Sequence, residues 1–347
     1  MHRKWTGLLL LGAIVVAGCQ ENAAPTAESN HPSFAKSSTS TTSALTGTPA
    51  ERAAQIADRL NARLAAAGST VQLDEAWFFT TGPGTDPFRR LRSTSGRWVN
   101  PRSITYSIDL SELVTHRFGK PFTNADVEAA LVTSHERFNQ VDGIVLKSTR
   151  VPDNGANNDV LDGMIRNRSG ECVDVVDVKS VILNSYDAAT GNIDFSPIAD
   201  NLFGGWLAPE YFLDCLGSAN IIGVTWSFSD VDGSFNGELD GYRDRVYTEQ
   251  FYNTRFAWNV TGAVFLDPSP QEVFDIQSIV THEVGHTHGL GHFGGPNTNE
   301  PFRLQPNGSV FDPEAVMNPF YLGGEKRSLF STDISALHTL YASQQLQ

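Results

Sequence analysis

Basic residues and long apolar stretches are both scarce in this sequence of 347 residues. Lys and Arg total 25 against 39 Asp and Glu, which gives a formal net charge of -14. Because nucleic-acid binding depends on clustered Lys and Arg, this balance argues against a nucleic-acid partner. Beyond the first residues, no segment approaches the roughly 20 apolar residues that a membrane-spanning helix needs. Hydrophobic residues still make up 40% of the chain, so a globular core is expected.

The first residues have the features of an export signal. Two basic residues precede the apolar run Leu8–Val16, which is too short for a permanent membrane span but typical of a secretory signal. The sequence Val16-Ala17-Gly18-Cys19 resembles the bacterial lipobox, in which cleavage before the cysteine leaves it as an acylated N-terminus. This resemblance implies a signal peptide over residues 1–18 and a lipid anchor at Cys19. The residue that follows, Gln20, implies the outer membrane or cell surface of the bacterial envelope. An ordinary secretory signal is the alternative.

The remaining two of the three cysteines are Cys172 and Cys215. An even number of cysteines in an exported chain predicts a disulfide between them. Free buried thiols or metal-binding thiols are the alternative, but Cys172 has no neighbouring Cys or His at ligand spacing.

The rest of the chain divides by composition. Residues 19–49 are rich in Ser, Thr, Ala and Pro and are expected to form a flexible tether. Residues 50–96 are expected to form a small N-terminal segment that begins with an amphipathic helix over 50–67. It either packs on the following domain or serves as a propeptide. Residues 97–347 are expected to form one domain, with a strand at Ile104–Ile108, a helix that Thr123 and Asp126 begin, and a closing helix at Thr332–Ser343.

The chemistry is concentrated between His282 and His292. Residues four apart share a helix face, so His282 and His286 can present their imidazoles to one ion with Glu283 beside them. Gly289 can adopt a positive φ and end the helix, which returns the chain so that His292 completes three-nitrogen coordination. Three protein ligands with a fourth position open are typical of catalytic zinc, with Glu283 as general base for a zinc-bound water.

This spacing resembles the elongated zinc motif of metzincin metalloproteases, and Ala315-Val316-Met317-Asn318-Pro319-Phe320-Tyr321 resembles the Met-turn and pocket wall of their matrixin branch. The resemblance implies an α+β fold with a twisted mixed sheet, an active-site helix and a C-terminal subdomain with the Met-turn and a closing helix. It implies that Met317 packs beneath the ligands and that Pro319, Phe320 and Tyr321 border the substrate pocket. The chain departs from matrixins at Phe293 and in a long insertion over residues 293–316.

Two further features are less specific. Asp232, Ser234, Asn236 and Asp240 have the spacing of a calcium loop around Gly237, but Arg243 stands where an EF-hand has Glu, so Ca²⁺ is a candidate beside a plain acidic turn. His288 follows His286 by two residues, and we expect it at the surface or behind the ligands rather than on the metal.

Together these features predict a monomeric, lipid-anchored, zinc-dependent endopeptidase that acts on proteins or peptides. The alternative is a catalytically inactive surface binding module that keeps the metzincin fold and the metal. The presence of Glu283 favours the enzyme.

Overall fold

The computed structural model describes most of the chain after residue 42. The described residues are 43–66, 68–82, 87–89, 96–110, 122–153, 164–166, 172–175, 186–187, 192–193, 199–231, 242–262, 273–296, 311–321 and 325–342. The predicted signal peptide, Cys19, most of the predicted tether and the candidate calcium loop of Asp232, Ser234, Asn236 and Asp240 lie outside these residues.

Helices and strands alternate along the described part of the chain. The helices are α1 (Pro49–Ala66), α2 (Asn124–Asn139), α3 (Ile276–Thr287) and α4 (Ser331–Tyr341), and Tyr211–Cys215 form a π-helical turn. The strands are β1 (Val71–Thr80), β2 (Phe88–Arg89), β3 (Gly96–Trp98), β4 (Ile104–Ile108), β5 (Ser148–Arg150), β6 (Met164–Arg166), β7 (Cys172–Val175), β8 (Tyr186–Asp187), β9 (Asn192–Ile193), β10 (Asn201–Leu207), β11 (Ile221–Asp230), β12 (Arg243–Asn253), β13 (Ala257–Asn259), β14 (Val273–Asp275), β15 (Gly295–Pro296) and β16 (Phe311–Asp312). None of the described helices has both the length and the apolar character needed to cross a membrane.

One mixed sheet organises the fold. Its strand order is β2-β1-β11-β12-β10-β4-β5, and β3 also pairs with β12. The neighbours β12, β10, β4 and β5 run parallel, whereas β11 is antiparallel to β12 and to β1. The chain is therefore a mixed α and β fold with a mixed sheet, as the sequence predicts at this level.

The predicted helix after Thr123 is present because its first turn is capped. The Asp126 amide donates to Thr123 Oγ1 at 3.3 Å, and the Thr123 amide donates to Asp126 Oδ2 at 2.6 Å, which forms a capping box. On its inner side α2 packs against α3, where the Ser134 hydroxyl donates to the Gln277 carbonyl oxygen at 3.2 Å. Helix α2 thus packs against α3 and holds it in position.

The two faces of the sheet bury separate cores. Helix α1 covers one face, where Ile56, Leu60 and Leu64 pack with Trp226 and Phe228 of β11. Helices α2, α3 and α4 contribute to the core on the other face. Full burial of one aliphatic side chain of this size adds about 2 kcal/mol to the free energy of unfolding. Strand β1 belongs to this sheet, although the sequence predicts a separate segment over residues 50–96.

A buried charge cluster joins β1 to β12. Glu75 Oε1 lies 2.6 Å from Arg243 Nη2, and Glu75 Oε2 lies 2.7 Å from Arg245 Nη2. Arg243 also pairs with Asp74, and all four side chains are nearly inaccessible to solvent. The Asn61 side chain holds the same stretch from the other face, since it donates to the Leu73 carbonyl and accepts from the Leu73 amide, both at 2.8 Å. The first half of β1 is therefore firmly anchored.

The two predicted disulfide cysteines lie together. The Cα atoms of Cys172 and Cys215 are 5.0 Å apart, within the usual disulfide range, and both residues are buried. The bridge joins β7 to the π-helical turn. The Leu45 amide donates to the Cys172 carbonyl oxygen at 3.1 Å, so the residues before α1 also reach this point.

Candidate metal centre

Helix α3 carries the first two histidines of the predicted site. It begins at Ile276 because Asp275 caps it, with Asp275 Oδ2 accepting from the Ser278 amide at 3.0 Å. It ends at Thr287, and Gly289 then takes φ +87°. A Cβ at Gly289 would lie 2.5 Å from the Gly96 carbonyl oxygen, so only glycine fits this turn without strain. The turn brings His292 back toward the helix.

The three predicted ligands converge. Nε2 of His286 lies 3.0 Å from Nε2 of His282 and 3.1 Å from Nε2 of His292, and the third separation is 3.3 Å. Two nitrogens bound tetrahedrally to zinc at about 2.1 Å would lie roughly 3.4 Å apart. The three distances between the Nε2 atoms are slightly shorter than this value. In the described part of the chain, these three histidines form the group that could hold a metal ion.

The orientation of the rings also fits metal binding. Nδ1 of His282 donates to the Val316 carbonyl oxygen and Nδ1 of His286 donates to the Leu290 carbonyl oxygen, each at 2.8 Å. These bonds leave both Nε2 lone pairs directed at the centre. Burial lowers the pKa of His282 to about 3, and it also lowers the pKa of His286. Both imidazoles are therefore neutral, which is the form that binds a metal.

Glu283 lies beside the histidines in a polar niche against β11. The Thr225 hydroxyl donates to Glu283 Oε2 at 2.5 Å, whereas Oε1 has no hydrogen-bond partner among the described residues. A Cβ at Gly223 would lie 2.7 Å from Oε1, so the glycine leaves room for the carboxyl group. Burial raises the pKa of Glu283 to about 8, and the Thr225 bond opposes that rise. A buried carboxyl oxygen without a partner fits a group that receives a proton or a ligand.

The predicted Met-turn packs under α3. Met317 is fully buried, and a Cβ at Gly285 would overlap its Sδ atom, so the glycine between His282 and His286 allows this close contact. Asp333 holds the turn through the Val316 amide at 2.9 Å and the Met317 amide at 3.3 Å. The closing helix α4, which contains Asp333, thereby supports the floor of the centre.

Strand β1 supplies an aromatic wall that the sequence analysis missed. The ring of Phe79 stacks on His282 with centroids 3.7 Å apart, and the ring of Trp77 stacks on His286 at 4.7 Å. Trp77 also makes an edge contact with His292 at 5.2 Å. The run Ala76-Trp77-Phe78-Phe79-Thr80 has high strand propensity, but nothing local indicates that alternate rings face the histidines.

The predicted pocket-wall residues follow the end of β1. Phe320 bridges to Thr80 in parallel, and the Tyr321 amide donates to the Thr80 carbonyl oxygen at 2.9 Å. The Tyr321 ring lies 5.3 Å from that of Phe274, and burial raises the pKa of its hydroxyl group. Pro319 is partly exposed. The part that these three residues play toward a substrate stays a prediction.

His288 is fully buried, so the expectation of a surface position is wrong, while a role behind the ligands stays a prediction. It caps the end of α3, and its ring lies 6.3 Å from that of His135. His135 stacks on Tyr106 at 3.7 Å, and burial lowers its pKa to about 3. A helical wheel cannot place His288 because α3 ends one residue before it.

The sequence matches no protein-family profile and no curated protein sequence.

Proposed function

We propose that this chain is a zinc-dependent endopeptidase of the metzincin kind, with a matrixin-like catalytic domain. The observation that carries the proposal is the convergence of three Nε2 atoms next to a buried carboxyl group with one oxygen unpartnered. The histidines and the glutamate stand at the positions of the zinc motif that the sequence resembles. Proteins or peptides are the proposed substrates, and the chain is expected to act as a monomer.

Zinc is the metal that best suits this donor set. Three neutral imidazoles favour zinc, copper, iron or nickel over calcium or magnesium. Among these ions, zinc with three protein ligands is the usual arrangement for hydrolysis without redox chemistry. A zinc ion held by His282, His286 and His292 would polarise the scissile carbonyl and acidify water. Calcium at Asp232–Asp240 remains a separate candidate outside the described residues.

Glu283 is the proposed general base and acid. Its Oε1 atom is available to take a proton from the attacking water and to deliver it to the leaving amine. A cation held by the three histidines would lower the pKa of Glu283 and so favour its carboxylate form at neutral pH. Thr225 is the proposed positioning residue, since its hydroxyl group occupies Oε2 and leaves Oε1 to the reaction.

A lipid anchor at Cys19 is the proposed attachment to the bacterial envelope, on the outer membrane or the cell surface. It rests on the lipobox resemblance alone. Cys19→Ala should release the protein from the membrane fraction and abolish acylation. Retention of this variant after a salt and urea wash would contradict the anchor.

One observation favours the second candidate, an inactive surface binding module with the same fold. His282, Glu283 and His286 are all fully buried, whereas hydrolysis requires a peptide to reach them. Under this alternative the three histidines hold a metal for structural reasons, as closed zinc sites do elsewhere.

Replacement of Glu283 separates the two functions. Glu283→Gln should still bind about one equivalent of zinc. Its rate of casein or gelatin hydrolysis should fall by about 10³-fold or more, which is the effect expected for loss of a general base. Glu210→Gln, which changes an exposed glutamate, serves as the matched control and should retain activity. Metal binding with no chelator-sensitive hydrolysis in the native chain would favour the binding module.

A further inference from the structure

The centre is closed by part of the same chain. His282, Glu283 and His286 have 0% of their surface exposed, and the two rings stacked over the histidines, Trp77 and Phe79, are only 2% and 4% exposed. A peptide carbonyl group cannot approach Glu283 in this arrangement. The proposed hydrolysis therefore requires a part of the chain to move.

The alternation of β1 identifies the covering side chains. In the pairing of β1 with β11, Trp77 lies opposite Thr225 and Phe79 lies opposite Gly223. Thr225 has a small side chain that donates to Glu283, and Gly223 has no Cβ, which would lie 2.7 Å from Glu283 Oε1 if present. The large side chains that cover the histidines therefore belong to β1 and not to β11. Phe78, between the two rings, faces the opposite core with α1.

The two halves of β1 are held differently. The half Val71–Glu75 is tied down by the Arg243 and Arg245 ion pairs and by the Asn61 side chain. The half Ala76–Thr80 is held by its ladder to β11, by ring packing and by the bond from the Tyr321 amide to Thr80. Irregularities in the ladder lie between Leu73 and Glu75, within the first half, and between Phe79 and Thr80, at the end of the second half. Separation of the second half breaks no buried ion pair, although Glu75 Oε2 would lose the hydrogen bond that Trp77 Nε1 donates at 3.3 Å.

We propose that Ala76–Thr80 is an autoinhibitory cover, which separates from β11 before substrate reaches Glu283 while Val71–Glu75 stays anchored. The proposal rests on the hydrolytic function above and adds its regulation. The closed state is the resting state, and the enzyme works only from the open fraction of molecules. We expect metal ions to use the same opening, because two of the three ligands, His282 and His286, are fully buried and His292 is only partly exposed.

Metal exchange tests the cover without reference to hydrolysis. A cover slows entry and exit of the metal by the same factor, so its weakening raises both rates and leaves the affinity unchanged. Loss of packing against the ligands instead raises the exit rate alone and weakens affinity, typically by about 10- to 100-fold. The measurement uses the full chain, with zinc uptake by the apo form and zinc release to excess chelator followed by stopped flow.

The variant Trp77→Ala/Phe79→Ala should show both rates raised about tenfold or more, with the zinc Kd changed by less than about threefold. Phe212→Ala removes a fully buried aromatic side chain from the core on the other face of the sheet and lies outside β1, so it is the matched control and should leave both rates within about twofold of the native chain. Unchanged rates in the double variant, a rise in release alone, or an equal rise in the control would each overturn the cover.

Peptide hydrolysis is then measured on the same proteins loaded with zinc. If the double variant cuts peptides faster than the native chain, the cover and the hydrolytic function are both supported. If both exchange rates rise together but no variant cuts any peptide, the cover stands and the hydrolytic function fails.

Discussion

Arg327 is bound in a bidentate manner to Asp275, the residue that begins the metal-site helix. Its Nη2 atom lies 2.6 Å from Asp275 Oδ1 and its Nε atom lies 2.9 Å from Oδ2. Asp275 is fully buried and also caps α3 through the Ser278 amide. Hydrogen bonding to Asp275 raises the pKa of Arg327. One carboxylate therefore fixes the start of α3 and joins it to the segment that leads into α4.

Arg327→Met should destabilise the protein by about 2 kcal/mol, because it leaves the Asp275 carboxylate buried without its counter-ion. Arg327→Lys should recover part of this loss, since an ammonium group keeps the charge but not the two parallel bonds. Urea unfolding of the metal-free protein measures the loss of stability in both variants. Arg102→Met, at an exposed position, is the control and should stay within about 0.5 kcal/mol. An equal loss in Arg327→Met and Arg102→Met would argue against a structural role for the pair.

The proposed positioning role of Thr225 predicts a specific kinetic pattern. Thr225→Val removes the hydroxyl group that occupies Glu283 Oε2 but keeps the shape of the side chain. It should lower kcat by about 10- to 100-fold with little change in KM, since the hydrogen bond orients a base rather than binding substrate. Thr225→Ser restores a hydroxyl group and should recover most of the rate. If Ser and Val variants are equally slow, the effect comes from packing and not from the hydrogen bond.

The local sequence predicts the site better than it predicts what surrounds the site. The spacing of His282, His286 and His292, with Gly289 between them, is a short-range property, and the structure brings the three nitrogens together. The capping box of α2 is equally local. Long-range pairing is not encoded in this way. Strand β1 contains two consecutive acidic residues, Asp74 and Glu75, and so lacks the polar and apolar alternation of a half-buried strand. Both can be buried because they pair with Arg243 of β12, more than 160 residues away.

The disulfide can be tested by thiol titration. In a Cys19→Ala chain, the denatured and unreduced protein should show no free thiol, since Cys172 and Cys215 are paired. Two free thiols per chain would contradict the pairing. Reduction should lower the free energy of unfolding by up to about 4 kcal/mol, which is the chain-entropy value for a separation of 43 residues.

Stability should fall as the pH falls below about 6.5, the ordinary pKa of an unfolded histidine. His135 is buried and its folded pKa is lowered to about 3, so the unfolded chain takes up a proton that the folded chain does not. At pH 5 this difference costs the folded state about 2 kcal/mol relative to pH 8. His135→Phe can keep the stack on Tyr106. Between pH 8 and pH 5, its free energy of unfolding in urea should fall by about 2 kcal/mol less than that of the native chain. His338→Phe, a change of a half-buried histidine on α4, tests whether any histidine has the same effect.

The charge cluster that anchors β1 limits how the chain can be shortened. Asp74 and Glu75 balance Arg243 and Arg245 one for one, and the four residues come from both sides of residue 97. A recombinant fragment begun at residue 97 would contain both guanidinium groups without their counter-ions, at a cost of several kcal/mol for each buried charge. Such a fragment should express as aggregated or partly unfolded protein, even with every metal ligand present. Recombinant production of a folded domain should therefore begin ahead of α1.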